Sequence, residues 1–219
     1  MNLVDMMRPA VYGSLSYRIY VPENYDAAKR YPLLLYLHGA GERGGDNRLH
    51  ISVNSVMETL LTDENLRKYP CVVLAPQCPE DEWWAEELLT VLMGLLEATR
   101  AVYSIDAARI YITGLSMGGF GTWSLLGDYP DYFAAAVPIC GGGDAETATL
   151  FKHVPVWAFH GSQDTTVFPC GSRDMVKALV EAGARDVHYT EYPEAAHNSW
   201  DRAYREPGLF PWMFAQRKA

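Results

Sequence analysis

Tyr111-Ile-Thr-Gly-Leu-Ser-Met-Gly-Gly-Phe120 is the stretch on which the fold turns. A short apolar run, Arg109 to Thr113, reads as a strand. It passes through Gly114-Leu115-Ser116-Met117-Gly118 into a helical pattern that ends near Gly127. The spacing is G-x-S-x-G. A serine placed there sits on a strand-to-helix turn so sharp that small residues must flank it, and its hydroxyl is pushed out at the top of a sheet.

Working outward from that turn, apolar runs alternate with helical periods. Pro32 to Leu37 and Cys71 to Ala75 are apolar on both faces, as strands covered by helices on each side are. Phe133 to Cys140, Val154 to Phe159 and Val187 to Tyr192 read as further strands, and Tyr12 to Val21 as an early strand or hairpin arm. Ile51 to Leu61 and Trp83 to Tyr103 carry helical spacing, the latter with Glu86 and Glu87 in its first turn. Ser172 is expected to cap a helix reaching about Ala182, which Gly183 stops. Pro211 to Arg217 reads as a short amphipathic helix. The fold class is therefore α/β, a doubly wound, mostly parallel sheet flanked by helices, with residues 1–219 as a single domain.

The formal net charge of −9 disfavours nucleic acid and anionic membrane surfaces as partners, because both would repel the chain. Cys71, Cys78, Cys140 and Cys170 form no CxxC pair and no Cys/His cluster with zinc spacing, so neither a structural metal nor a cofactor is expected. They read as free thiols in a reducing compartment. Met1 to Ala10 holds Asp5 and no apolar stretch of signal-peptide length, and a cytoplasmic location is the expectation.

In such a sheet, ligands bind outside the carboxyl ends of the strands. A serine hydroxyl is a weak nucleophile, and it needs a base that is itself oriented by a carboxylate. After an elbow serine the chain order should run Ser, Asp or Glu, then His. Of the downstream histidines, His153 precedes a strand and His188 lies inside one. His160 is followed by Gly161 and reads as a structural turn. His197, after the last strand, is the base. Asp164, just past a strand end, is the acid, ahead of Glu191 and of Asp144, which reads as a helix cap or turn former. An oxyanion hole needs two backbone N–H groups. Met117 supplies one. The turn His38-Gly-Ala-Gly41 supplies the other, from Ala40 first and Gly39 next, with His38 as a buried holder of that loop. Trp84 and Trp200 are candidates for an aromatic wall around a substrate, or for packing.

His38-Gly-Ala-Gly-Glu-Arg-Gly44, Ala75-Pro-Gln-Cys-Pro79, Gly114-Leu-Ser-Met-Gly-Gly119, Pro138-Ile-Cys-Gly-Gly-Gly-Asp144, His160-Gly-Ser-Gln-Asp164 and Tyr192-Pro-Glu-Ala-Ala-His197 together resemble the α/β-hydrolase superfamily. More narrowly, they resemble its phospholipase/carboxylesterase-like branch of esterases and predicted peptidases, over about residues 12–216. The resemblance implies Ser116, Asp164 and His197 as the catalytic triad, in agreement with the reading from the residues. Dienelactone hydrolases share the architecture but usually carry Cys at the nucleophile, so Ser116 speaks against that activity. No long insertion follows the Phe133 strand, where this fold commonly carries a lid, so no cap domain is expected and short or sugar-linked acyl groups suit the site. The rivals are a serine peptidase acting on short peptides and a catalytically idle binding member of the fold.

Overall fold

Eight strands form one mixed sheet in the order β1-β2-β4-β3-β5-β6-β7-β8. The structure is a computed structural model that describes residues 3–53 and 55–218. The strands are β1 (Arg8–Tyr12), β2 (Leu15–Tyr20), β3 (Tyr31–Leu37), β4 (Val72–Pro76), β5 (Ile105–Leu115), β6 (Ala135–Ile139), β7 (Val156–Gly161) and β8 (Val187–Tyr192). The Tyr12–Val21 stretch is the second arm of a hairpin, β1 with β2, closed at Gly13 in the left-handed region. β2 is antiparallel to both of its neighbours, and the pairings from β4 through β8 are all parallel.

Parallel strands must be joined by crossovers, and those crossovers cover both faces of the sheet. β3 shows the consequence in one strand. Leu33, Leu35 and Leu37 face a core shared with helices Glu87–Val102, Met117–Asp128 and Cys170–Glu181. Leu34 and Tyr36 face the opposite core, with helices Val56–Leu60 and Leu209–Ala215. All seven residues of β3 are buried, which is why its sequence shows no alternation.

β3 pairs with β4 on one side and β5 on the other, so the winding changes direction there. The carboxyl ends of β3 and β5 diverge at such a point and leave a crevice. His38 follows β3 and Ser116 follows β5, so the crevice lies between the two loops singled out in the sequence.

Several elements differ from their expected form. Ile51–Leu61 is two short helices, Leu49–Ser52 and Val56–Leu60, rather than one; Asn54 between them lies outside the described residues. The long helix begins at Glu87, and Trp84 before it is drawn down onto the His38 carbonyl beside β3. Ser172 is no cap: its helix starts two residues earlier, and its hydroxyl is engaged with His160 and Gly141. Gly183 ends that helix with φ +83, as expected of a left-handed stop. Asp144 opens a 3-10 turn and accepts the Glu146 N–H at 3.0 Å, as a cap does. Among the described residues, no helix is long and apolar enough to cross a membrane.

Candidate active site

Ser116 has φ 53 and ψ −117, a conformation that a residue with a Cβ adopts only under constraint. Close backbone packing supplies the constraint. A Cβ on Gly118 would lie 2.0 Å from the Leu37 carbonyl oxygen, and one on Gly114 would lie 2.3 Å from the Gly118 carbonyl oxygen. The elbow therefore presses β5 and its helix against the end of β3 at separations that only glycine permits. The Ser116 N–H donates to the Ile139 carbonyl at 2.9 Å, which ties the turn to β6.

The base and acid arrive from the ends of β8 and β7. Ser116 Oγ lies 2.8 Å from His197 Nε2, and His197 Nδ1 lies 2.7 Å from Asp164 Oδ2. The carboxylate can only accept, so Nδ1 carries the proton and Nε2 is left to accept the serine hydroxyl. Asp164 Oδ1 accepts the N–H groups of Thr166 and Val167, each at 2.9 Å. Burial alone would raise the Asp164 pKa, but the bonds from His197, Val167 and Thr166 outweigh it and hold the group below the usual carboxylate range. The result is an aligned, ionised acid behind a neutral imidazole, an arrangement that can take a proton from Ser116 as it attacks.

On the other side of Ser116, the loop after β3 is fixed by side chains that never meet solvent. His38 is fully buried; its Nε2 accepts the Cys78 N–H at 2.9 Å and its Nδ1–H donates to the Gly39 carbonyl at 2.6 Å. That pattern requires the neutral ring, and burial pushes the His38 pKa down to about 3. Trp84 Nε1–H donates to the His38 carbonyl at 3.0 Å. Ala40 opens a 3-10 turn, Ala40–Glu42, and Met117 opens the elbow helix. First-turn N–H groups have no acceptor within their own turn, so both are free to point at a substrate oxygen. Glu42 sits under this loop with its Oε2 buried and unpaired, and burial raises its pKa.

The rim corrects one expectation. Trp84 is 2% exposed and packs edge-on against the His38 ring, with ring centroids 5.1 Å apart, so it holds the loop and lines no wall. Its neighbour Trp83 is the exposed one, at 53%, with the Arg43 guanidinium 5.9 Å from its ring centroid. Trp200 does approach the site, edge-on to His197 at 5.4 Å. Phe120, one turn along the helix from Ser116, is 37% exposed, and Phe168, past the Asp164 turn, is 65% exposed. The signal for Phe120 was present in its spacing of four residues from Ser116, which places it on the same helix face.

The remaining histidines are placed as their context in the chain indicated. His153 is paired with Asp131 at 3.0 Å and His188 with Asp186 at 2.8 Å, all away from the crevice. His160 and Ser172 are hydrogen-bonded at 2.7 Å, yet both are fully buried, so this pair cannot meet a substrate. All four cysteines are free, and Cys170 alone of the four is exposed. The Cys140 thiol lies against Asp164 and His197, and burial raises its pKa to about 12, so it is present as the thiol.

Comparison with known proteins places the chain among esterases. The chain is similar over 98% of its length to the crystal structure of a thermostable esterase, with 36% identity and a TM-score of 0.94, and spans 64% of that chain. It is 28% identical over 205 residues to a bifunctional acetylxylan esterase/xylanase from Neocallimastix patriciarum, a match that covers 89% of this chain and 27% of the relative. In fold alone it resembles the feruloyl esterase module from Clostridium thermocellum complexed with sinapinate. That likeness has 17% identity and a TM-score of 0.71, and it covers 95% of this chain and 85% of the module. The chain thus spans about a quarter of the curated relative and under two thirds of the thermostable esterase. The model of the esterase family, described as "Putative esterase", matches residues 10–191, and the chain belongs to that family.

Proposed function

We propose that this chain is a serine carboxylesterase that cleaves short-chain or carbohydrate-linked esters of the acetyl or feruloyl type. One observation carries the reading: the unbroken path Ser116 Oγ–His197 Nε2 at 2.8 Å and His197 Nδ1–Asp164 Oδ2 at 2.7 Å, mounted on a strained elbow. Ser116 Oγ attacks the ester carbonyl as His197 Nε2 takes its proton. The N–H groups of Met117 and Ala40 receive the oxyanion, and Asp164 stabilises the imidazolium. His197 then protonates the leaving alcohol, and water, activated by the same nitrogen, releases the acid and regenerates Ser116.

The acyl preference follows from the surroundings. The β6–β7 connection, residues 140–155, holds only a 3-10 turn and lays no helical cap over Ser116. Trp200, Phe120 and the exposed Trp83 give aromatic surface around the crevice, which suits aryl or sugar groups. The names of the acetylxylan esterase relative and the feruloyl esterase module point the same way.

Ser116→Ala is expected to reduce turnover of p-nitrophenyl acetate by several orders of magnitude. Near-wild-type hydrolysis by that variant would overturn the assignment. A panel of acyl lengths, acetylated xylan and methyl ferulate tests the substrate; a preference for C12 or longer acyl groups is the result that would refute it.

A further inference from the structure

We propose that His160 is a positioning residue of this reaction: its Nε2–H holds the Val167 carbonyl of the turn that carries Asp164, and Ser172 fixes the tautomer in which it can do so. This rests on the assignment of Ser116, His197 and Asp164 given above.

His160 ends β7 one residue before Gly161, and its ring is fully buried. Its Nε2 lies 2.9 Å from the Val167 carbonyl oxygen and 3.3 Å from Asp164 Oδ2. Both partners only accept, so Nε2 must carry hydrogen; a bare nitrogen there would set its lone pair against two oxygens. Nδ1 lies 2.7 Å from Ser172 Oγ, and in the neutral ring it accepts the serine hydroxyl. Ser172 Oγ is also 3.1 Å from the Gly141 carbonyl. A hydroxyl has one proton, and in the neutral ring it goes to Nδ1. Burial lowers the His160 pKa and so favours that form.

The consequence falls on Asp164. Its Oδ1 takes two backbone N–H groups and its Oδ2 takes His197. Val167 is gripped at both ends, its N–H by Asp164 and its carbonyl by His160, so the acid turn cannot rotate away from His197. The positive end of the His160 N–H dipole, 3.3 Å from Oδ2, also offsets part of the charge that Oδ2 presents to the His197 imidazolium.

The groups facing His160 are few. Asp164 and His197 come from the loops, and β8 contributes Glu191, which Arg173 of the adjoining helix pairs at 2.5 Å. Asp164, His197 and Glu191 are thus the charged groups that act on the ring.

Three variants of the full chain test this with p-nitrophenyl acetate between pH 5 and 9, beside thermal melts. His160→Phe is expected to lower kcat about tenfold at little change in KM. It should also move the acid limb of the kcat/KM profile upward, because Asp164 Oδ2 then loses the N–H dipole beside it. His160→Gln, whose amide N–H reaches the same Val167 carbonyl, should recover most of kcat and the original limb. Ser172→Ala should move the limb in the direction of His160→Phe, by less. An acid limb that stays in place in His160→Phe and Ser172→Ala overturns the proposal, as does a Gln variant no better than Phe. If His160→Phe does not fold, Ser172→Ala with wild-type kcat and limb is the overturning result. Ser116→Ala run in parallel separates the two questions: hydrolysis surviving there defeats the triad itself, whereas a silent Ser116→Ala beside an unmoved limb defeats only His160.

Discussion

Asp164 shows how much one residue can depend on its setting. It is fully buried, a place where a carboxylate is unfavourable unless each oxygen is paired, and both of its oxygens are. Asp164→Asn keeps the shape but presents an amide that can donate to His197 and favour the wrong tautomer. It is expected to lower kcat by about 10³–10⁴-fold with KM nearly unchanged, and steady-state kinetics at pH 7.5 checks it. The role of Asp164 was legible in chain order and in its place after a strand. The state of His38 was not: its neutral Nδ1–H form depends on the Cys78 N–H, forty residues away in sequence.

At the scale of elements, the elbow and the loop after β3 form one unit. Gly118→Ala puts a Cβ 2.0 Å from the Leu37 carbonyl, backbone against backbone with nothing flexible to yield. It should cost about 3 kcal/mol or more and abolish activity, seen as a lowered denaturant midpoint. Trp84→Phe keeps most of the packing on His38 but removes the Nε1–H that holds the His38 carbonyl. Its expected effect is a several-fold fall in kcat with a small change in melting temperature, since the loop carrying Ala40 loses its tether. A kcat equal to wild type would show that the loop holds its shape without Trp84. The misreadings at this scale share a cause. Trp84 looked like a site aromatic and Ser172 like a helix cap because local pattern reports residue type and spacing, while a partner on another strand decides where each side chain goes.

For the whole molecule, acid pH should be the main threat to stability. His38 and His50 are both buried and neutral, with pKa values pushed by burial from 6.5 to about 3 and about 4. His50 donates from Nε2 to the Ala75 carbonyl, and its Nδ1 faces no partner, so a second proton would be stranded. The unfolded chain takes up protons below pH 6.5 while the folded rings do not. Their stabilising contribution is therefore complete above pH 6.5 and falls as pH drops below it, by about 2 kcal/mol each at pH 5. Thermal melts at pH 7.5 and 5.0 should show a clear drop in Tm, and His50→Gln should flatten it. Equal melting temperatures at the two pH values would show that the rings are not held neutral.

What the chain's own order determined is the chemistry: a serine on a glycine-flanked turn, then an aspartate and a histidine after later strands, within an alternation that calls for a parallel sheet. Those features are local or depend only on order along the chain, so they survive without coordinates. Tertiary structure alone decided which aromatic faces the crevice, that Ser172 serves His160 rather than a helix end, and that His160 holds the Val167 carbonyl beside Asp164. Each depends on atoms a few ångströms apart on different elements, brought together when the switch between β3 and β5 gathers the carboxyl ends of the strands. Hydrogen bonds and burial act over such distances in space, and sequence separation carries no record of them.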